Sequence, residues 1–302
     1  MDFYTHGRLY RIEPKGALKD FRHQCMNKSN LVLKHSARQL GNVLRRVRPG
    51  LASGPRGVLL NSLPKSGTHL LHPILLSLGL KDHQGFFAST PPRTMKVRSE
   101  AKACEAVQRI MPNELFSSHM FFDSAIEHVL IESETPSVFI YRDPRAVFVS
   151  ELNYVQRMNR WHKYHGVLGA AASEDAAFQL LLHGVPDAGF FFPRFRERVS
   201  PYVDWITSEC TFSLTFESLI GNDARMVCDR LMDYLVSMDR RFVDVCRVSG
   251  QVQLSLNQLN SESSHTFTGL DPDRWQYQLS DMQRSMLEDE LDDLVIIMGY
   301  ST

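Results

Sequence analysis

The run Lys65-Ser66-Gly67-Thr68-His69-Leu70 has the residue types and order needed to hold a phosphate-like anion. It lies in LPKSGTHLL, between a short apolar run and a longer one. A strand that ends in a tight glycine turn and opens a helix leaves several backbone N–H groups unpaired. Those groups and the helix dipole attract negative charge. Gly67 lets the backbone approach a ligand closely, Thr68 adds a hydroxyl, and Lys65 supplies a mobile positive charge. In a Walker A loop, G-x-x-x-x-G-K-[ST], the lysine follows the glycine and the hydroxyl serves Mg²⁺. Here Lys65 precedes Gly67, and no glycine stands where the first should be. That order weakens a P-loop nucleotide-dependent kinase, which remains the enzymatic alternative. An ordinary strand-to-helix turn with a surface lysine is the plainer one.

The elements that must position this turn alternate along the chain. Residues 57–60 read as a buried strand and 70–78 as a buried helix, because the apolar run is short in the first and extended in the second. LFSSHM is a weaker strand, followed by a helix over 124–131. SVFIYRD is a clear strand that breaks at Pro144 into a helix over 145–157. Helical pieces at 176–182, 224–237 and 281–298 surround a fourth strand and turn, CTFSLTFESL. This alternation predicts an α/β fold, a single domain with a central parallel sheet flanked by helices. A chain of this length buries roughly 75% of its unfolded surface, so its core needs no staple.

Charge and cysteine usage narrow the class. The formal net charge is zero, which argues against a dedicated nucleic-acid binder. The balance is uneven, since residues 1–50 carry eleven Lys or Arg against three acidic residues and include an amphipathic helix candidate at 30–47. We read 1–50 as a basic N-terminal arm with a helix, and 51–302 as the main domain. Five scattered cysteines, with no C-x-x-C pair, suit free thiols in a reducing compartment. The first residues lack the layout of a signal peptide, and no apolar run approaches the roughly 18 residues of a membrane span. The expected location is cytoplasmic, with no stable membrane insertion.

The phosphate-type turn and several later segments resemble the soluble, cytosolic-type sulfotransferases that use 3′-phosphoadenosine-5′-phosphosulfate (PAPS). Their 5′-phosphosulfate loop reads P-K-S-G-T-T-W, and Pro64 to Thr68 match it, with His69 and Leu70 in the last two places. The family's second signature is an arginine at a strand end and a serine eight residues on, both on the 3′-phosphate. Arg142 and Ser150 in FIYRDPRAVFVSELNY fit it. The spacing is physically sensible, because a helix from Pro144 places Ser150 about two turns in while Arg142 leaves the strand's carboxyl end. Ser118-His119-Met120 falls where the family has its catalytic histidine. Ser117 stands where a lysine is common two residues earlier. LTFESLIGN resembles the segment near the adenine, with Phe216 in place of tyrosine. HTFTGLDPDRW resembles R-K-G-x-x-G-D-W, with Gly269 and Trp275 in place. Phe267 and Thr268 replace the Arg-Lys pair, so His265 or Arg274 is left to supply the charge. Ser255 and Leu256 fall near a Ser-Phe pair beside the nucleotide. The resemblance covers 57–302 and implies a P-loop-like sulfotransferase fold.

The implied reaction moves a sulfuryl group from PAPS to a hydroxyl or amine of a small molecule, leaving 3′-phosphoadenosine-5′-phosphate (PAP), without a metal. Lys65 would neutralise the leaving phosphate, His119 would take the acceptor's proton, and Ser150 would restrain Lys65 until acceptor arrives. An ordinary imidazole titrates near about 6.5. His69 and His72 sit at i and i+3 with no third ligand nearby, so His69 is read as a phosphate contact and His72 as packing. Phe190, Phe191 and Phe192 read as core, while Trp161, His162 and His165 lie in the region of the family's acceptor pocket. The mixture of His, Asp and Arg there favours a polar specialised metabolite, such as an alkaloid, as acceptor. A homodimer is compatible with the chain, and a nucleotide-binding protein without turnover is the non-enzymatic alternative.

Overall fold

Val58, Leu59, Leu60, Asn61 and Ser62 are all buried, as in a strand covered on both faces. They form β1 (Val58–Ser62), the middle strand of a five-stranded sheet in a computed structural model that describes residues 54–243 and 271–301. Its partners are β3 (Glu114–His119) on one side and β4 (Ser137–Tyr141) on the other. The edges are β2 (Lys81–Ala88) and β5 (Thr211–Thr215), giving the order β2-β3-β1-β4-β5 with every pairing parallel. Alternate residues of each strand enter separate cores. Leu59 and Phe139 join Phe148, Phe178, Trp205 and Leu291 on one face, while Leu60 and Ile140 join Leu71, Ile74, Leu231 and Leu235 on the other.

The helices follow from the same alternation. α1 (Thr68–Ser77) connects β1 to β2, α2 (Glu100–Gln108) and α3 (Ser124–Glu132) flank β3, and α4 (Pro144–Asn153) leaves β4. α4 begins with Pro144 behind Asp143, whose carboxylate accepts from the Arg145 amide, and it runs on as a π-helical turn, Tyr154–Met158. Then come α5 (Lys163–Gly169), α6 (Glu174–His183), α7 (Phe195–Val199) with a 3₁₀ turn at Ser200–Trp205, α8 (Phe216–Ile220), α9 (Ala224–Met238), α10 (Arg274–Gln278) and α11 (Asp281–Ile297). The parallel sheet flanked by helices is the expected architecture. β2, α2, α5, α7, α8 and α10 were not expected; in β2 the polar KDHQ precedes FFA, and the register shifts between Asp82 and Phe86. The expected helix at 30–47 and the basic arm lie outside the described residues.

One buried amide ties the carboxyl end of the sheet together. Asn61 Nδ2 donates to the Met120 carbonyl at 3.0 Å, while its Oδ1 accepts from the Met120 amide and the Ser118 hydroxyl, each at 2.8 Å. Trp205 Nε1 donates to the same carbonyl at 2.9 Å. The carboxyl ends of β1 and β3 are thereby locked side by side, with His119 next to the turn that leaves β1.

Candidate active site

The turn after β1 has the form of an anion cradle. Lys65 and Gly67 both lie at positive φ, 69° and 93°. The Gly67 carbonyl accepts from the amides of Leu70 and Leu71, at 2.8 and 3.1 Å, which opens α1. No side chain caps that helix and no acidic residue occupies its first turn, so its amides keep their donors for a ligand. Ser66 is fully buried in the turn, and its hydroxyl has no hydrogen-bond partner among the described residues. These features fit a phosphate group: a helix start with no side-chain cap, a buried hydroxyl without a partner among the described residues, and a lysine in the same turn.

Lys65 reaches across the turn, and its Nζ sits over the Tyr154 ring, 4.1 Å from the centroid. Burial pulls its pKa down to about 8; the Glu151 carboxylate opposes that shift and the Arg142 guanidinium adds to it. Tyr154 reaches this place because α4 widens into the π-helical turn, a distortion common at functional sites. His69 is exposed in the first turn of α1, and burial of part of the ring, then Lys65 and His72, hold its pKa below the usual imidazole range. His72 pairs with Asp82 at 3.7 Å, a surface contact between α1 and β2.

His119 closes the other side. Its Nδ1 lies 2.8 Å from the Ser62 carbonyl oxygen and 2.9 Å from the Ser62 hydroxyl. A carbonyl only accepts, so Nδ1 carries the hydrogen and Nε2 keeps its lone pair. The Ser62 hydroxyl also meets Thr68 Oγ1 at 2.7 Å, which links the histidine to the turn after β1. Phe86 packs edge-on to the imidazole at 4.6 Å. Burial drives the His119 pKa down to about 4; the Ser62 carbonyl opposes this, and His69 and Lys65 reinforce it. An unperturbed imidazole titrates near about 6.5, and burial here moves the ring in the acid direction. The ring is neutral at pH 7.

Arg142 and Ser150 stand at the far end, both buried. The Arg142 guanidinium lies over the Phe216 ring at 4.2 Å, donates from Nη2 to the Asp271 carbonyl at 3.1 Å, and has Glu217 Oε1 3.8 Å from Nε. Desolvation lowers its pKa, with Glu217 opposing. A narrow crevice beside it is lined by Arg142, Ser150, Asn153, Arg274 and Gln278.

These groups share one cavity of about 410 Å³. Lys65, Gly67, Thr68, His69, Leu70, His119, Arg142, Ser150 and Phe216 all line it, and Ser66 lies buried beneath. Ser255, Phe267, Thr268 and Gly269 lie outside the described residues, as do Leu256 and His265. Beyond His119 the wall is aromatic, with Phe86, Phe121, Tyr164, Phe191, Phe195 and Tyr202. Among the described residues no group of three His, Cys, Asp or Glu side chains is placed to hold a metal ion.

Residues 55–235 match the family model described as "Sulfotransferase domain". The chain belongs to the sulfotransferase family. Among solved structures, the sulfotransferase resembles mouse sulfotransferase SULT7A1 complexed with PAP, at 14% identity over 80% of this chain and 85% of that one, with a TM-score of 0.50. That likeness is one of fold. Retinol dehydratase with androsterone and inactive cofactor PAP aligns at 10% identity over 83% of each chain, TM-score 0.47. Retinol dehydratase with retinol and PAP aligns at 11% over 83% and 84%, TM-score 0.48. No curated protein matches the sequence. No helix among the described residues is long and apolar enough to cross a membrane.

Several residues that line this sulfotransferase cavity carried no signal in the sequence. Glu151 pairs with Arg198, which also donates to the Leu181 carbonyl at 2.9 Å and packs against the Tyr164, Phe192 and Phe195 rings. That contact spans 47 positions, and nothing local announces it. Of the three residues expected near the acceptor, His162 lines the cavity and caps α5, whereas His165 is engaged by the Val155 carbonyl at 2.7 Å and Trp161 is largely exposed. The Phe190–192 run divides: Phe192 stacks on Tyr164 at 3.7 Å in the core, and Phe191 faces the cavity.

Proposed function

We propose that this sulfotransferase moves the sulfuryl group of PAPS to a hydroxyl or amine of a small molecule held against the aromatic wall. The reading rests on one observation: a single cavity joins the amide-lined turn and Lys65 to a neutral histidine whose Nδ1 is already committed. When bound, PAPS supplies an activated sulfuryl group on a 5′-phosphate leaving group. The turn amides, Ser66, Thr68 and Lys65 would hold that phosphate and offset the charge that grows on it as the bond to sulfur breaks. Nε2 of His119 would take the acceptor's proton as the new bond to sulfur forms. Arg142 and Ser150 would bind the 3′-phosphate, and Arg274, across the same crevice, would replace the arginine–lysine pair that Phe267 and Thr268 lack.

The wall of Phe86, Phe121, Phe191, Phe195 and Tyr202 suits an acceptor with an apolar ring body. The Glu151–Arg198 pair in that wall supports a second polar group on it, as in an alkaloid or related specialised metabolite. The deciding experiment incubates the protein with PAPS and a panel of ring-bearing alcohols, phenols and amines in EDTA, reading products by mass spectrometry. Sulfated product with release of PAP supports the reading. Phosphorylated product from ATP and Mg²⁺, with PAPS inert, would replace it with the kinase.

A further inference from the structure

We propose that Tyr300 is a positioning residue for 3′-phosphate binding: its hydroxyl occupies one oxygen of Glu217 and so keeps that carboxylate from forking onto Arg142. The inference rests on the assignment of Arg142 to the 3′-phosphate made above. After α11, Gly299 takes φ 82° and turns the chain back, with its amide on the Ile296 carbonyl and the Tyr300 amide on that of Val295. Tyr300 is thereby carried inward, where its ring meets Tyr141 edge-on at 6.3 Å. The Arg145 guanidinium fixes the same segment by donating to the Ser301 carbonyl at 2.8 Å.

The Tyr300 hydroxyl donates to Glu217 Oε2 at 2.8 Å. The contact recorded with Arg142 is made by the other oxygen, Oε1, 3.8 Å from Nε, and the Asp143 amide approaches that same oxygen at 3.5 Å. An arginine and a carboxylate left to themselves form two parallel N–H···O bonds. Such a fork would occupy the guanidinium edge that a phosphate needs. In the observed arrangement Nη2 is held by the Asp271 carbonyl, and Nη1 makes no hydrogen bond among the described residues. The guanidinium also sits over the Phe216 ring, 4.2 Å from its centroid. Tyr300 thus settles how much of Arg142 the protein itself consumes.

The test measures dissociation constants for PAP and for ADP, which lacks the 3′-phosphate, together with the melting temperature of the free protein. Tyr300→Phe keeps the ring against Tyr141 and removes only the hydroxyl. It should weaken PAP about fivefold, the scale of one hydrogen bond, while ADP affinity is unchanged. Adding Glu217→Gln removes the charge that drives the competing fork, so the double variant should recover most of the PAP affinity. Equal losses for PAP and ADP, no loss for either, or no recovery in the double variant would overturn the role of Tyr300 alone. A wild-type protein that binds PAP no better than ADP would instead remove the Arg142 assignment and this inference with it.

Discussion

The Ser62 carbonyl oxygen lies 2.8 Å from Nδ1 of His119, and that contact decides which nitrogen of the ring can act as a base. Ser62 ends β1 and His119 ends β3, so the contact exists because adjacent parallel strands finish together. The hydrogen stays on Nδ1 and the lone pair on Nε2. His119→Ala should therefore lose at least about 10²-fold in single-turnover rate, while PAP binds almost normally. His69→Ala should do the reverse, because its ring stands at the opening of the phosphate turn. A folded His119→Ala protein with a near-normal single-turnover rate would end the base assignment.

The pH profile provides a second check on the same ring. Burial holds the His119 pKa at about 4. A base must be neutral to accept a proton, so lowering the pKa keeps it competent further into acid. kcat/KM for the donor, which reports the free protein, should stay level from about pH 7 down to about pH 5. A fall centred near about 6.5 would mean a solvated imidazole and contradict the packing of Phe86 and Ser62 around it.

Lys65 limits the alkaline side. Its pKa is about 8 by burial, and only the protonated form can offset charge on a leaving phosphate. As pH rises through about 8 the amine loses its charge, so kcat/KM for PAPS should fall there. Lys65→Ala should flatten that limb and lower kcat more than it weakens PAP, since the leaving-group charge grows in the transition state. EDTA should leave wild-type turnover unchanged. Turnover lost in chelator and restored by Mg²⁺ would point to metal-assisted chemistry instead.

The parts of the site legible in the sequence are those fixed by local geometry. Lys65 to Leu70 could be read because a strand, a glycine turn and a helix dictate where amides point. Arg142 and Ser150 are singled out by their resemblance to a family signature, and the strand end and helix between them account for both lining one cavity. His119 needed its position between those two segments, and its pKa could not be foreseen, because burial by Phe86 is a tertiary fact. Glu151–Arg198 and Glu217–Tyr300 join positions 47 and 83 apart, with no local pattern to expose them. β2 escaped notice because its alternation is interrupted by Gly85 and by a register shift at the sheet edge.

Arg274 is the replacement cation proposed for the 3′-phosphate, and its crevice with Arg142 and Ser150 makes the proposal specific. Arg274→Gln removes the charge and keeps an amide donor in its place. PAP should bind several-fold more weakly, with a shallower dependence on salt concentration, and ADP should be unaffected. Calorimetric titrations of both nucleotides at two salt concentrations would read this. If PAP loses nothing, the charge comes from elsewhere, and Arg274 is reduced to a contact of α10.

Gly67 combines two constraints that can be separated. Its φ of 93° lies where a side chain is strained, at about 1–2 kcal/mol. A Cβ there would also come within 2.6 Å of Phe216 Cδ2. Gly67→Ala should accordingly lower the melting temperature, and the displaced Phe216 should carry the disturbance to Arg142, whose guanidinium rests on that ring. PAP affinity should then fall further than ADP affinity, although the substitution is in the 5′-phosphate turn. Adding Phe216→Leu relieves the clash but leaves the strain and removes the arginine's support. The double variant should regain part of its melting temperature and none of its PAP preference. Recovery of both would show that Phe216 only fills space beneath the turn; recovery of neither would assign the whole cost to the backbone at position 67.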